Sequence, residues 1–159
     1  MATGHDIAMG LRAAYARMHR QSNMAVAGRG VTIDQFVLLA LLAEQDGITQ
    51  QELVRRASSD ANTVRAMLVL LEDRELIARE PHPTDRRAHR VTVTHKGRQM
   101  LDQLWTDSEP VRQRMVSALT PTEADLLVDF LTRISEAMAQ ENGGIPALET
   151  KRVLKGERR

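Results

Sequence analysis

"LIAREPHPTDRRAHRVTVTHKGRQML", residues 76–101, holds two short runs of alternating polar and apolar residues on either side of two prolines and an Asp-Arg-Arg tip. Proline fixes φ and pushes the preceding residue toward extended geometry, so no helix runs through Glu80, Pro81, His82 and Pro83. The flanking runs LIARE and AHRVTV read as the two strands of a hairpin whose connection carries Asp85, Arg86 and Arg87. Thr94 then caps a helix bearing Met100, Leu101, Leu104 and Trp105 and continuing to Leu119, which Pro110 is expected to kink or restart.

Upstream the chain reads as helices. Residues 6–24 place Ile7, Leu11, Ala14, Tyr15 and Met18 at spacings of three and four, followed by Ala25, an amphipathic stripe too narrow to form a core alone. Gly28 and Gly30 break it. Thr32 and Gln35 form a capping box for a helix that Gly47 ends, and its apolar residues nearly encircle it, which predicts burial. Thr49 and Glu52 repeat the capping pattern over a short helix to Ala57, and Ser58 and Ser59 are capping candidates for a third helix over 60–74. On that helix Val64, Met67, Leu68 and Leu71 form the core stripe, so Asn62, Thr63, Arg65, Ala66 and Val69 face outward. Thr120 and Glu123 cap a last helix, with Pro121 in its first turn, that runs to Gln140 and ends at Asn142, Gly143 and Gly144. The basic stretch 145–159 is expected to be loose.

The bulk properties narrow the function classes. The chain has 159 residues, no cysteine and a formal charge of +1. One domain with its own core fits this length. Without cysteine there is no disulfide framework, thiolate zinc site or cysteine nucleophile, and the composition agrees with a cytoplasmic setting. Neither a leader pattern nor an apolar run of membrane-spanning length is visible, so no membrane association is expected. Residues 79–98 hold six basic side chains (Arg79, Arg86, Arg87, Arg90, Lys96, Arg98) against Glu80 and Asp85. Such a segment in a nearly neutral chain is either a directed patch for a polyanion or a solvated loop. His82, His89 and His95 lie around the hairpin with no carboxylate or thiol completing a site, so no metal is expected. With no nucleophile-base spacing, glycine-rich phosphate loop or paired carboxylates, neither enzyme activity nor a cofactor is expected.

Helix, short helix, tight turn, outward-facing helix and basic hairpin follow one another in the order of a winged helix-turn-helix. The sequence resembles the MarR family of bacterial transcription regulators over nearly its whole length. The most specific block is the opening one, with Pro-x-x-x-Asp-x-Arg at the tip and Thr-x-Lys-Gly-Arg entering the long helix; ITQQELVRRA and NTV…L…LED are similar more loosely. The chain departs from the pattern at Ser58 and Ser59, where glycine and an apolar residue are common, at Arg65-Ala66 in place of Thr-Arg, at Leu70 in place of arginine, and at Glu75 in place of glycine.

The resemblance implies a mainly α fold with a small β-hairpin, divided into an N-terminal dimerisation helix (1–30), a DNA-binding lobe (31–95), C-terminal dimerisation helices (96–142) and a basic tail (143–159). It implies a homodimer that binds double-stranded, pseudo-palindromic DNA and represses transcription until a small phenolic or anionic aromatic ligand binds. Ser59, Asn62, Thr63 and Arg65 would then face the major groove, Arg87 the minor groove with Asp85 orienting it, and Arg86 a phosphate. A ligand site would lie among Arg12, Tyr15, His19, Phe36 and Trp105, residues that serve equally well as dimer core. Met9, Met18, Met24, Met67, Met100 and Met115 allow the same two readings. The alternative function is a winged-helix module that binds another protein.

Overall fold

The computed structural model describes residues 1–45, 47–81 and 89–139. The expectations for the hairpin tip and for the tail from residue 140 onward lie outside the described residues. Six helices, α1 (Gly4–Val26), α2 (Ile33–Glu44), α3 (Gln50–Arg56), α4 (Ala61–Asp73), α5 (His95–Ser117) and α6 (Pro121–Ala139), surround a small sheet of β1 (Ile48–Thr49), β2 (Ile77–Pro81) and β3 (His89–Val93). The sheet is antiparallel in the order β1-β3-β2, with Ile77 opposite Val93 and Ile48 opposite Val91. The fold is mainly helical with a small sheet, as expected, and β1 adds a third strand to the predicted hairpin.

The helix starts follow from their caps. Thr32 accepts from the Gln35 amide while Gln35 reaches back to the Thr32 amide, completing that capping box, and Thr120 and Glu123 do the same. Thr3 and Asp6 form a further box that starts the first helix earlier than its periodicity suggests. At Thr49 only half the device forms: Thr49 accepts from the Glu52 amide, but the Glu52 carboxylate turns to Arg55 and Arg56. Two opposite charges one turn away outcompete a neutral amide for that carboxylate. Ser58 and Ser59 are not the caps of α4. Asp60 is, accepting from the Asn62 and Thr63 amides at 3.0 and 2.9 Å.

Pro110 does not restart α5, which is one helix across it. The carbonyl that Pro110 leaves without its helical donor is that of Thr106, and beside it Ser108 Oγ donates to the Leu104 carbonyl and Arg112 Nη2 to the Trp105 carbonyl at 2.7 Å.

The core lies where α2, α3, α4 and the sheet meet the start of α5. Leu38, Leu39, Leu42, Leu53, Leu68, Leu71 and Leu104 are fully buried, and of the large apolar residues of α2 only Val37 is exposed. The glycine of the Thr-x-Lys-Gly-Arg block has a packing reason. A Cβ on Gly97 would sit 2.0 Å from the Leu76 carbonyl oxygen, because the first turn of α5 lies directly on the start of the hairpin. Most of α1 is exposed, and no described side chain of α6 is buried.

Candidate nucleic-acid interface

Helices α3 and α4 join through a turn with an unusual residue. Ser58 has φ 49°, in the left-handed region, with its amide on the Arg55 carbonyl and the Ser59 amide on the Val54 carbonyl. That is a Schellman ending, normally given to glycine, and it aims the chain straight into the Asp60 cap. Asp60 Oδ2 also accepts from the Thr63 hydroxyl at 2.6 Å. This bond and the two amides hold the Asp60 carboxyl below its ordinary range. The amides at the start of α4 are therefore already satisfied by a carboxylate.

Val64, Leu68 and Leu71 are buried, and Asn62, Thr63, Arg65, Ala66 and Val69 are exposed, as the periodicity predicts. Asn62, Ala66 and Val69 stand at i, i+4 and i+7 opposite the buried stripe, with Arg65 on one flank and Thr63 and Leu70 on the other. Arg65 makes no ion pair among the described residues. Ser59 is half-buried at the entrance to the helix. Sequence reading did not place Val69 and Leu70 in the site, although they are 42% and 53% exposed on its surface. The helical spacing that identified Arg65 also turned Val69 outward, and it would have found Leu70.

The basic segment is less one-sided than its linear charge count. Arg79 pairs with Glu72 at 2.8 Å, Arg90 with Glu80 at 2.8 Å and Lys96 with Glu75 at 2.7 Å. Glu72 belongs to the end of α4 and Glu75 to the turn that follows it, both outside the counted stretch, so much of the expected positive patch is neutralised within the molecule. Asp85, Arg86 and Arg87 lie outside the described residues; the strand ends flanking them, Pro81 and His89, are paired.

The proposed ligand residues fall into two groups. Phe36 meets Trp105 edge-on with ring centroids 4.9 Å apart, and the Arg112 guanidinium lies 4.6 Å from the Trp105 ring centre. Separately, Tyr15 and His19 are 5.4 Å apart, His19 Nε2 is 3.0 Å from Asp34 and His19 Nδ1 is 3.1 Å from Asn23. Arg12 is exposed and joins neither group. Arg112 was not anticipated; it lies seven residues from Trp105, two helical turns along the same face. Among the described residues no group of three or more His, Asp or Glu could hold a metal, and no single helix is long and apolar enough to cross a membrane.

Comparison with known proteins gives concordant matches. The model described as MarR family matches residues 31–89. The uncharacterized HTH-type transcriptional regulator YdgJ of Bacillus subtilis is 29% identical over 105 residues, which span 66% of this chain and 64% of that protein. The transcriptional repressor CouR, solved on a 23-mer DNA duplex, superposes with a TM-score of 0.74 at 30% identity, covering 79% of this chain and 89% of that one. CouR from Rhodococcus jostii RHA1 has also been solved with p-coumaroyl-CoA bound. BpsR of Bordetella bronchiseptica, whose DNA binding is regulated by 6-hydroxynicotinic acid, superposes with a TM-score of 0.74 at 29% identity, covering 81% of this chain and 98% of that one.

Proposed function

The chain belongs to the MarR family, and from that premise we propose that it is a homodimeric repressor of transcription, released from pseudo-palindromic DNA by a small aromatic ligand. The observation that carries this reading is the outer face of α4, which presents Asn62, Arg65 and small apolar side chains in one exposed row. Arg65 is suited to a bidentate contact with guanine and Asn62 to one with adenine, while Val69 and Leu70 offer apolar contact to thymine methyls. The Thr63 hydroxyl donates to Asp60 and so has only lone pairs left for a base or for water. Asp60 at the helix start disfavours a phosphate there, which leaves the phosphate contacts to the arginines. In this reading Arg87 enters the minor groove with Asp85 orienting it, Arg86 meets a phosphate, and Ser59 supports the approach of α4.

Dimerisation gives α1 and α6 the burial partner they lack in one chain. Ile7, Met9 and Tyr15 on α1 and Leu126, Leu127, Phe130 and Leu131 on α6 are 39–58% exposed. A two-fold partner covering both stripes would set two copies of α4 about one DNA turn apart, roughly 34–36 Å. The ligand would enter between α1 and the Phe36–Trp105 pair, with Arg12, His19 or the neighbouring Arg112 available to a carboxylate, and would act by changing the separation of the two α4 helices.

DNA fragments selected by the purified protein, followed by titration at several salt concentrations, test the function. A defined two-fold sequence bound with a steep salt dependence is expected. A second reading, recognition of a protein, draws on the exposed Val69 and Leu70; binding that selects no DNA and is insensitive to salt would favour it. Titrating 6-hydroxynicotinic acid and aromatic acyl thioesters against operator release, while following Trp105 fluorescence, tests the switch. Operator release whose ligand affinity is unchanged in Tyr15→Ala, His19→Ala and Arg12→Ala would move the site away from these residues.

A further inference from the structure

The end of α4 is tied to the middle of α5 through a turn that belongs to neither. Arg74, the C-cap residue that follows α4, donates through Nη2 to the Arg29 carbonyl at 2.8 Å and through Nη1 to the Gly30 carbonyl. It is free to do so because the carbonyls of its own helix end are taken: the Glu75 amide bonds Glu72 at 2.7 Å and the Leu76 amide bonds Leu71 at 2.9 Å. Gly30 has φ +67°, and a Cβ there would stand 2.9 Å from Arg74 Nη1, so any side chain at this position would displace the guanidinium.

On the far side of the same turn, Arg29 points at α5. Its Nε and Nη2 form a fork on the two carboxylate oxygens of Asp107, at 2.6 and 3.2 Å, and Nη1 reaches Gln103 Oε1 at 3.0 Å. Asp107 and Gln103 are one helical turn apart, so the contact resists both sliding and rotation of α5 against the turn.

We propose that Arg29 and Arg74 form a strut that fixes the angle of α4 against α5, making Arg29 a positioning residue for the spacing of the two half-sites. This rests on the reading of the protein as a DNA-binding dimer. The Arg29 and Asp107 side chains are 37% and 26% exposed, and ion pairs at such exposure add little to stability. A planar fork closed at both oxygens, in contrast, has one geometry, and it defines orientation far more than it contributes energy. In the dimer, α5 links each DNA-binding lobe to the shared interface, so the angle held by the strut is converted into the separation of the two α4 helices. None of the strut side chains is among the residues assigned to base or phosphate contact.

The test uses the full-length dimer and three kinds of operator: the selected site, the same half-sites moved one base pair closer or farther apart, and the selected site with single base changes. Wild type should prefer native spacing by about tenfold or more, the range of an ordinary coupling between sites. Arg29→Lys, which keeps the charge but not the fork, and Asp107→Asn should reduce that preference to about twofold while leaving the penalties for base changes as they were. Gly30→Ala should act like them by displacing Arg74. Variants that keep the spacing preference overturn the strut, and so do variants in which spacing and base preferences decline together with Tm, since that is loss of structure. If wild type itself selects no operator, the functional reading falls first; if it selects one and only the spacing prediction fails, the strut alone is wrong.

Discussion

At the scale of single residues, the side chains at and around the proposed interface separate into those that hold the structure and those free to reach a ligand. Asp60 holds. Its folded carboxyl sits below the ordinary value of 3.8, chiefly through the Thr63 hydroxyl, so its contribution is complete above that value and is lost as pH falls through the lowered one. Asp60→Asn keeps a capping oxygen without the charge, and should remove this part of the acid dependence of α4 stability. Identical acid unfolding curves for variant and wild type would count against the assignment. Gly97 also holds. With a backbone oxygen 2.0 Å from its would-be Cβ, Gly97→Ala should cost about 1–3 kcal/mol or more in urea denaturation, as overpacking does where no side chain can give way. A variant as stable as wild type would mean that the hairpin and α5 separate easily. On the proposed interface Arg65 and Arg87 would be the reaching residues. Alanine at either should weaken specific binding by about 1–3 kcal/mol with Tm unchanged, whereas Arg86→Ala should lower the salt slope by about one unit. Equal and negligible effects from Arg86 and Arg87 would remove the wing from the interface, and a uniform loss across all sequences from Arg65→Ala would make it a phosphate anchor.

At the scale of elements, both helices of the helix-turn-helix end in Schellman turns whose left-handed position is not glycine: Ser58 with φ 49° and Glu75 with φ 61°. A residue with a Cβ loses about 1 kcal/mol or somewhat more in that region, so Ser58→Gly should raise stability by about that much, and Glu75→Gly should raise Tm as well unless the Lys96 pair offsets it. Thermal unfolding decides, and a fall in Tm for Ser58→Gly would mean that the serine side chain compensates for its backbone. These turns show what was legible in the sequence. Order and type of the helices were, because caps such as Thr32 with Gln35 and stripes such as Val64, Leu68 and Leu71 are local signals. Strand β1 was not, since two residues carry no period and Ile48 and Thr49 are extended only because Val91 and Arg90 lie beside them. Asp60 was passed over as a cap for the adjacent serines, which compete for the same role with the same chemistry. The neutralised basic segment was hidden for a different reason: Glu72 lies on a helix and Arg79 on a strand, and Glu75 and Lys96 are separated by the whole hairpin, so each pair meets only in the folded chain.

At the scale of the whole molecule, the chain is apolar in the wrong place for a monomer. The core is closed by α2, α3, α4 and the sheet together with Val26 of α1 and Leu101 and Leu104 of α5, yet α6 exposes Leu126, Leu127, Phe130, Leu131 and Met138 on a helix in which no described side chain is buried, and α1 exposes Ile7, Met9, Leu11 and Tyr15. Exposed stripes of this size, on helices at both ends of the chain and away from α4, mark an association surface. Because no described side chain of α6 is buried, that helix can be changed without unfolding the lobe, whereas α1 places Val26 in the core. Phe130→Glu combined with Leu127→Glu places two like charges in each half of a two-fold interface, where the symmetry doubles the repulsion. Sedimentation of the double variant should show a monomer that keeps its helical content, and its affinity for the full palindrome should fall by about a hundredfold or more, because the two half-sites no longer share one binding event. Affinity for an isolated half-site should stay at the wild-type value, since α4 and the wing are untouched. A double variant that remains dimeric would place the interface elsewhere, and a monomer that binds the palindrome as tightly as wild type would show that one chain is enough.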